Sequence, residues 1–135
     1  MLKTLGMRHI ALNVKDPQAT KKFYIDVLKM EIEWEPDADN VYLTSSSQDN
    51  LAIHKAPNSE ALKPVRDNQL LDHIGFFVST PKEVDDWYQH VLSHYAKIIK
   101  EIKTHRDGAR SFYFQDPDGV VIQLIYHPPV ANRKS

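Results

Sequence analysis

The chain has 135 residues, 41% of them hydrophobic and 26% charged, with a net charge of −1. We expect one domain, residues 1–135, with a hydrophobic core and without the basic surface that nucleic-acid binding requires. The chain has no cysteine, no run of the roughly 20 apolar residues of a membrane helix and no signal-peptide pattern at its start. We therefore also expect a cytoplasmic protein with no membrane or nucleic-acid partner.

The first predicted strand begins at His9, in the segment HIALNV. Because side chains alternate along a strand, His9, Ala11 and Asn13 share one face and the apolar residues between them share the other. A helix is predicted to follow, since Asp16 can accept hydrogen bonds as the N-cap and Pro17 suits the first helical position. The apolar strand face is expected to pack against this helix.

Residues 40–56 are predicted to form a β-hairpin that completes a first module over about residues 7–56. In the second strand of this hairpin, Ala52 and His54 share one face because they are two residues apart. A polar segment with two prolines, residues 57–69, is expected to be a linker.

A second module repeats the first. Residues 73–94 align without a gap on residues 9–30, 64 positions earlier, and seven of the 22 aligned positions are identical. His73 falls on His9 in this alignment. The second helix is predicted to begin after Thr80, with a glutamate three residues later that completes a capping box.

Residues 109–128 are predicted to form a second hairpin around the turn DPDG, in which Gly119 takes the positive φ that closes the turn. On the last strand, Gln123 lies on the face opposite to its apolar neighbours. The second module then covers about residues 70–127, and residues 128–135 are expected to be a frayed tail.

These elements predict an α+β fold of two paired β-α-β-β-β modules that form a curved eight-stranded sheet around a cavity. If the two modules differ by a two-residue loop, His54 falls opposite Gln123. The repeat then collects His9, His54, His73 and Gln123 on the concave side of the sheet.

The paired modules, the openings HIALNV and HIGFFV, and the closing segment SFYFQDPDGVVIQL resemble the vicinal oxygen chelate superfamily of glyoxalases, bleomycin resistance proteins and dioxygenases. The resemblance implies a divalent metal that binds adjacent oxygens of a small-molecule substrate, and a homodimer. It places the metal ligands on His9, His73, Gln123 and His54. The last two positions are commonly glutamate in the superfamily.

Gln123 is an amide, so the four side chains form a neutral set. Such a set favours zinc, nickel, cobalt or iron over magnesium or calcium, and no organic cofactor is expected. Neither Gln123 nor His54 offers the carboxylate that would abstract a proton beside a carbonyl. Ordinary glyoxalase I activity is therefore disfavoured, and the two-histidine-one-carboxylate iron site of dioxygenases is incomplete.

The segment SFYFQDPDG also resembles the fosfomycin-transferase branch of the superfamily. That resemblance implies substrate contacts from Ser111 and Tyr113 and an anion-binding role for Lys103. Position 132 is Asn132 where this branch has an arginine. From their strand faces, Asn13 and Phe77 are further candidates for substrate contact.

Two functions follow from these observations. The first is a small metalloenzyme of the lyase, isomerase or dioxygenase type that acts on a substrate with vicinal oxygens. The second is a binding protein of the bleomycin-resistance type that sequesters an organic molecule without metal or turnover. In the second case the three histidines are strand residues with ordinary hydrogen-bond partners.

Overall fold

The computed structural model describes residues 1–63 and 69–128, and the chain divides into two compact units, Met1–Lys63 and Pro64–Ser135. Unit one contains, in chain order, β1 (His9–Val14), α1 (Pro17–Leu28), β2 (Glu31–Asp37), β3 (Asn40–Thr44) and β4 (Asn50–Lys55), followed by one 3-10 turn at Ser59–Ala61. Unit two contains β5 (Ile74–Val78), α2 (Pro81–Ser93), β6 (Ile98–Thr104), β7 (Arg110–Gln115) and β8 (Val121–Tyr126).

Both units have the predicted β-α-β-β-β order, which confirms the two modules. Their strands are hydrogen-bonded in two sheets of four, in the orders β1-β4-β3-β2 and β5-β8-β7-β6. In each sheet the first strand pairs in parallel with the last, and the other pairs are antiparallel. The expectations that both sheets enclose one cavity and that residues 1–135 form a single domain stay predictions.

Both helices begin where the caps were predicted. The Asp16 carboxylate accepts hydrogen bonds from the backbone N–H groups of Gln18 and Ala19, at 3.1 and 3.2 Å. The Thr80 hydroxyl accepts from the backbone N–H of Glu83 at 3.2 Å and donates to its carboxylate at 3.0 Å. These bonds satisfy N–H groups that have no partner within the helix.

The apolar faces of β1, β3, β4, β7 and β8 contain buried residues, as alternation predicted, whereas Ile74, Phe76 and Val78 of β5 are only half-buried. In unit one, Leu12 and Val14 of β1 and Tyr24 of α1 are buried, whereas His9 and Asn13 are exposed. The fully buried aromatic and aliphatic side chains of unit two are Val84, Val91, Phe112, Phe114, Ile122 and Leu124. We call the sheet face opposite the helix the open face of each unit.

The predicted DPDG turn joins β7 to β8. Gly119 has a φ of 89°, and its N–H donates to the Asp116 carbonyl at 3.0 Å. The Asp116 carboxylate accepts from the N–H groups of Asp118 and Val120, both at 2.9 Å. Because hairpin register depends on turn geometry, this turn sets which residues of β7 and β8 lie opposite each other.

Among the described residues, neither helix is long and apolar enough to cross a membrane. Part of the predicted linker (64–68) and nearly all of the predicted tail (129–135, with Asn132) lie outside the described residues.

Candidate metal centre

Unit two brings Gln123 and Tyr113 together on its open face. The register places Gln123 opposite Tyr113 on one side and opposite Gly75 on the other. The Gln123 amide donates to the Tyr113 hydroxyl at 2.9 Å, which leaves the Gln123 carbonyl oxygen as an acceptor. A Cβ on Gly75 would lie 3.5 Å from that oxygen. The glycine therefore leaves space beside the one oxygen of Gln123 that can bind a ligand.

His73 joins this cluster. Its ring meets the Tyr113 ring edge-on, with the ring centroids 5.2 Å apart. The His73 Nδ1 lies 2.6 Å from the carboxylate of Asp72. Because an ionised carboxylate only accepts, Nδ1 must carry the hydrogen, and Nε2 of the neutral ring then presents a lone pair. This is the arrangement typical of metal-binding histidines, whose second ring nitrogen donates to a carboxylate or carbonyl.

The Tyr113 hydroxyl stays protonated at neutral pH. Partial burial raises the pKa of Tyr113 and so does the negative charge of Asp72, and together they outweigh the hydrogen bond from Gln123. The Lys100 ammonium lies 5.2 Å from the centroid of the Tyr113 ring. The cluster thus offers a hydroxyl that can donate a proton and a nearby positive charge.

Ser111 and Phe77 both lie opposite Ile125, two residues along the strands from the Tyr113 level. Ser111 is 2% exposed, and its hydroxyl is 3.3 Å from His105 Nε2, whereas Phe77 is 66% exposed. Lys103 lies opposite Ser111 on β6. Of the predicted substrate contacts in unit two, Tyr113 and Phe77 are thus accessible, and Ser111 is buried.

In unit one, His9 contacts Asn50, which lies opposite it on β4. The two side chains are joined through His9 Nδ1 and Asn50 Oδ1 at 2.5 Å, and Asn50 in turn donates to Glu33 at 2.8 Å. His9 therefore resembles His73 in having Nδ1 engaged and Nε2 turned away from that partner.

His54 lies apart from His9. Asn13, not His9, is the residue opposite His54, so the two histidines are four residues, or about 13 Å, apart along the strands. The His54 ring also points toward β3, where Nδ1 is 2.7 Å from Asn40 and the ring edge meets Tyr42. With its ring engaged on β3 and its backbone four residues from His9 along the strands, His54 has no contact with the described residues that supports it as a ligand beside His9.

The register also shows that the predicted equivalence of His54 and Gln123 is wrong. Ala11 pairs with Ala52, and its repeat counterpart Gly75 pairs with Gln123, so the counterpart of Gln123 is Ala52. The loops before β4 and β8, residues 45–49 and 116–120, are equal in length, so the assumed two-residue loop difference is absent. Ala52 and His54 share a strand face. Alternation alone therefore could not distinguish the two positions.

The sequence did not reveal the side chains that orient the two histidines. Asp72 precedes His73 directly, and a carboxylate beside a predicted ligand was a signal that could have been used. Asn50 and Glu33 are brought to His9 only by strand pairing, 41 and 24 positions along the chain, so no local pattern indicates them. Lys100 likewise could not be found from a local sequence pattern, since only the register of β6 places it opposite Tyr113.

The chemistry of His9, His73 and Gln123 fits a divalent ion. Each histidine has Nδ1 engaged as described, and Gln123 has its carbonyl oxygen beside the space left by Gly75. Within residues 1–63 and 69–128, no three histidine, cysteine, aspartate or glutamate side chains are grouped so that they could hold a metal. Gln123 is an amide and so is not one of these residue types.

Comparison with known proteins shows similarity both to a curated protein and to solved structures. The metallothiol transferase FosB of Staphylococcus saprophyticus is 26% identical over 122 residues, covering 88% of this chain and 75% of the relative. An integron cassette protein from the V. cholerae mobile metagenome is 25% identical, with a TM-score of 0.69 and coverage of 93% and 97% of the two chains. The fosfomycin resistance protein FosX of Listeria monocytogenes shares the fold at 20% identity, with a TM-score of 0.73 and coverage of 93% of each chain.

The model of one protein family matches residues 6–124, which cover all of the first module and the second module as far as Leu124 in β8, and which include His9, His73 and Gln123. The chain therefore belongs to the Glyoxalase/Bleomycin resistance protein/Dioxygenase superfamily.

Proposed function

We propose that the protein is a metal-dependent enzyme that holds one divalent ion with His9, His73 and Gln123 and acts on a small molecule with adjacent oxygens. The observation that carries the proposal is the cluster in unit two. It combines an oriented imidazole, an amide oxygen beside an open space and a protonated tyrosine. His54 is left out of the proposed ligand set because its register separates it from His9.

The donor chemistry points to zinc, nickel, cobalt or iron, because two imidazole nitrogens and one amide oxygen carry no charge and suit borderline metals. When bound, such an ion supplies a Lewis acid that polarises substrate oxygens. Its full positive charge also favours an anionic substrate, and Lys100 adds a further positive charge beside Tyr113.

Transfer of a thiol is the reaction that these side chains fit best. Position 123 has an amide and position 52 has a methyl group, so neither can abstract a proton beside a carbonyl. The addition of a thiolate to an electrophilic carbon needs no such base. The thiol first releases its proton to solvent. The sulfur then forms a bond to the carbon as the carbon–oxygen bond breaks, and Tyr113 donates its proton to the departing oxygen. A proton from solvent restores the Tyr113 hydroxyl. The similarity to a metallothiol transferase supports this choice over lyase, isomerase or dioxygenase chemistry.

Sequestration of an organic molecule without metal is the second candidate. Two observations favour it. Gln123 already has a partner in Tyr113, and in unit one Trp34 is 59% exposed and stacks on Tyr42 with centroids 5.2 Å apart. An exposed aromatic pair of this kind can stack on a planar ligand.

Metal analysis separates the two candidates. We expect untagged protein incubated with zinc, nickel, cobalt or ferrous iron to retain about one ion per chain after dialysis and to gain thermal stability from it. A His94→Ala variant is the matched control, because His94 ends α2 and stands outside the proposed set. Retention of none of the four ions would reject the enzyme proposal and favour sequestration.

We also propose that the protein is a homodimer and that it is located in the cytoplasm. The homodimer is checked by light scattering coupled to size-exclusion chromatography, where a single species of 15.6 kDa would contradict it.

A further inference from the structure

Four side chains on the open face of unit one form a continuous chain of hydrogen bonds. The Arg8 guanidinium donates to both carboxylate oxygens of Glu33, at 2.8 and 3.0 Å. Glu33 accepts from the Asn50 amide at 2.8 Å, and Asn50 meets His9 Nδ1 at 2.5 Å. Asn50 is only 5% exposed, so water cannot easily replace either of its partners.

The chemistry of this chain allows one direction only. Arg8 is always protonated, and Glu33 as a carboxylate can only accept. Asn50 must therefore turn its NH₂ group toward Glu33, and its carbonyl oxygen then faces His9. A carbonyl oxygen can only accept, so His9 Nδ1 must carry the hydrogen and the neutral ring must present the lone pair on Nε2.

We infer that Asn50, held in one orientation by Glu33 and Arg8, is a positioning residue that fixes His9 as the Nδ1–H tautomer. The consequence for a ligand rests on the proposed function, because a metal ion would then meet Nε2 without a tautomer change. The tautomer itself does not depend on any metal. In the absence of a partner, neutral imidazole in water prefers the hydrogen on Nε2, so Asn50 reverses the ordinary preference.

The same sheet contains a matched control. His54 Nδ1 is 2.7 Å from Asn40 Oδ1, so the amide oxygen of Asn40 contacts His54 in the same way as the amide oxygen of Asn50 contacts His9. Replacing each asparagine by leucine removes the acceptor and keeps a side chain of similar size. The two variants should therefore affect one histidine each.

Nitrogen NMR of the metal-free protein, at a pH where imidazoles are neutral, tests the inference. We expect wild-type His9 to show the Nδ1–H pattern, Asn50→Leu to convert it to Nε2–H and leave His54 unchanged, and Asn40→Leu to leave His9 unchanged. Glu33→Gln, at an exposed position, should give a mixture at His9 because a glutamine no longer dictates the orientation of Asn50. The Glu33→Gln variant also tests the inference if Asn50→Leu does not fold.

A wild-type His9 with the hydrogen on Nε2, or a His9 tautomer unchanged in both Asn50→Leu and Glu33→Gln, would overturn the inference. Zinc titration provides a second measurement, in which loss of such an orienting partner is expected to weaken affinity about 10- to 100-fold. If wild-type protein binds none of zinc, nickel, cobalt and ferrous iron, the proposed function fails, whereas the tautomer result still decides the role of Asn50.

Discussion

Each unit has a histidine at the start of its first strand, His9 as the first residue of β1 and His73 directly before β5, and the two units orient this histidine by different means. In unit two, Asp72 immediately precedes His73 and accepts from it directly at 2.6 Å, with a side chain that is 94% exposed. In unit one the equivalent position is Arg8, a cation that cannot accept, and it acts on His9 through Glu33 and Asn50. The repeat thus keeps the position of the histidine, while its orientation depends on side chains that the repeat does not share.

The units also differ at the position that could supply an oxygen. Gln123 in unit two corresponds to Ala52 in unit one, and Ala52 is fully buried. Under the proposed function, unit two therefore contributes two ligands and unit one contributes one. This asymmetry means that equivalent substitutions in the two units should have unequal effects.

The largest effect on stability is expected in the core of unit two. Phe112 is fully buried, contacts Tyr88 edge-on and stacks on Phe114, and the corresponding position of unit one is Val41. Phe112→Ala should lower the free energy of unfolding by about 3–5 kcal/mol. Val41→Ala removes fewer buried carbons and should cost about 2 kcal/mol. Urea denaturation monitored by circular dichroism measures both, and equal losses would show that the cores do not differ as described.

The next largest difference is expected in zinc affinity, between variants of His73 and His54. If the proposed set is right, His73→Ala should weaken zinc binding by more than about 100-fold, because it removes one of only three protein ligands. His54→Ala is the comparison within unit one and should leave affinity within about twofold. Isothermal titration calorimetry measures both, and a large loss in His54→Ala would return that histidine to the ligand set.

The caps of α1 and α2 should differ by a smaller amount. Asp16→Ala removes two hydrogen bonds and a negative charge at the start of α1, whereas Thr80→Ala removes one bond to a backbone N–H at the start of α2. We expect losses of about 1 kcal/mol for each, with the larger one at Asp16. Thermal unfolding of the two variants checks the order, and a larger loss at Thr80 would contradict it.

The smallest expected effect is in the titration of Tyr113. Its pKa is raised by burial and by Asp72, against the bond from Gln123, so it should lose its proton at higher pH than an unfolded tyrosine. Its contribution to stability is then present below about pH 10 and is lost as the pH rises through its folded pKa. Ultraviolet titration of tyrosinate in wild type and Tyr113→Phe isolates this group. A Tyr113 that ionises before the other tyrosines would contradict the assignment.

The parts of this structure that local chemistry determines could be predicted from the sequence. The caps at Asp16 and Thr80, the turn ending at Gly119 and the side-chain alternation were all read from neighbouring residues, and all are present. The register between β1 and β4 was predicted two residues away from its position, because such a shift leaves the same face exposed and a loop difference was assumed where residues 45–49 and 116–120 are equal in length. His54 was therefore assigned to a position that Ala52 occupies.

The pairing of the first strand with the last in each unit has a consequence for how the chain acquires its structure. The strand that begins at His9 pairs with β4, and His9 itself contacts Asn50, 41 residues later in the chain. The sheet of each unit is therefore completed by a contact between residues far apart in sequence, which is slow to form. During synthesis, however, all four strands of unit one are available for pairing once Lys55 has emerged from the ribosome, before β5 is translated. The first histidine can thus acquire its partners while the second is still to be translated.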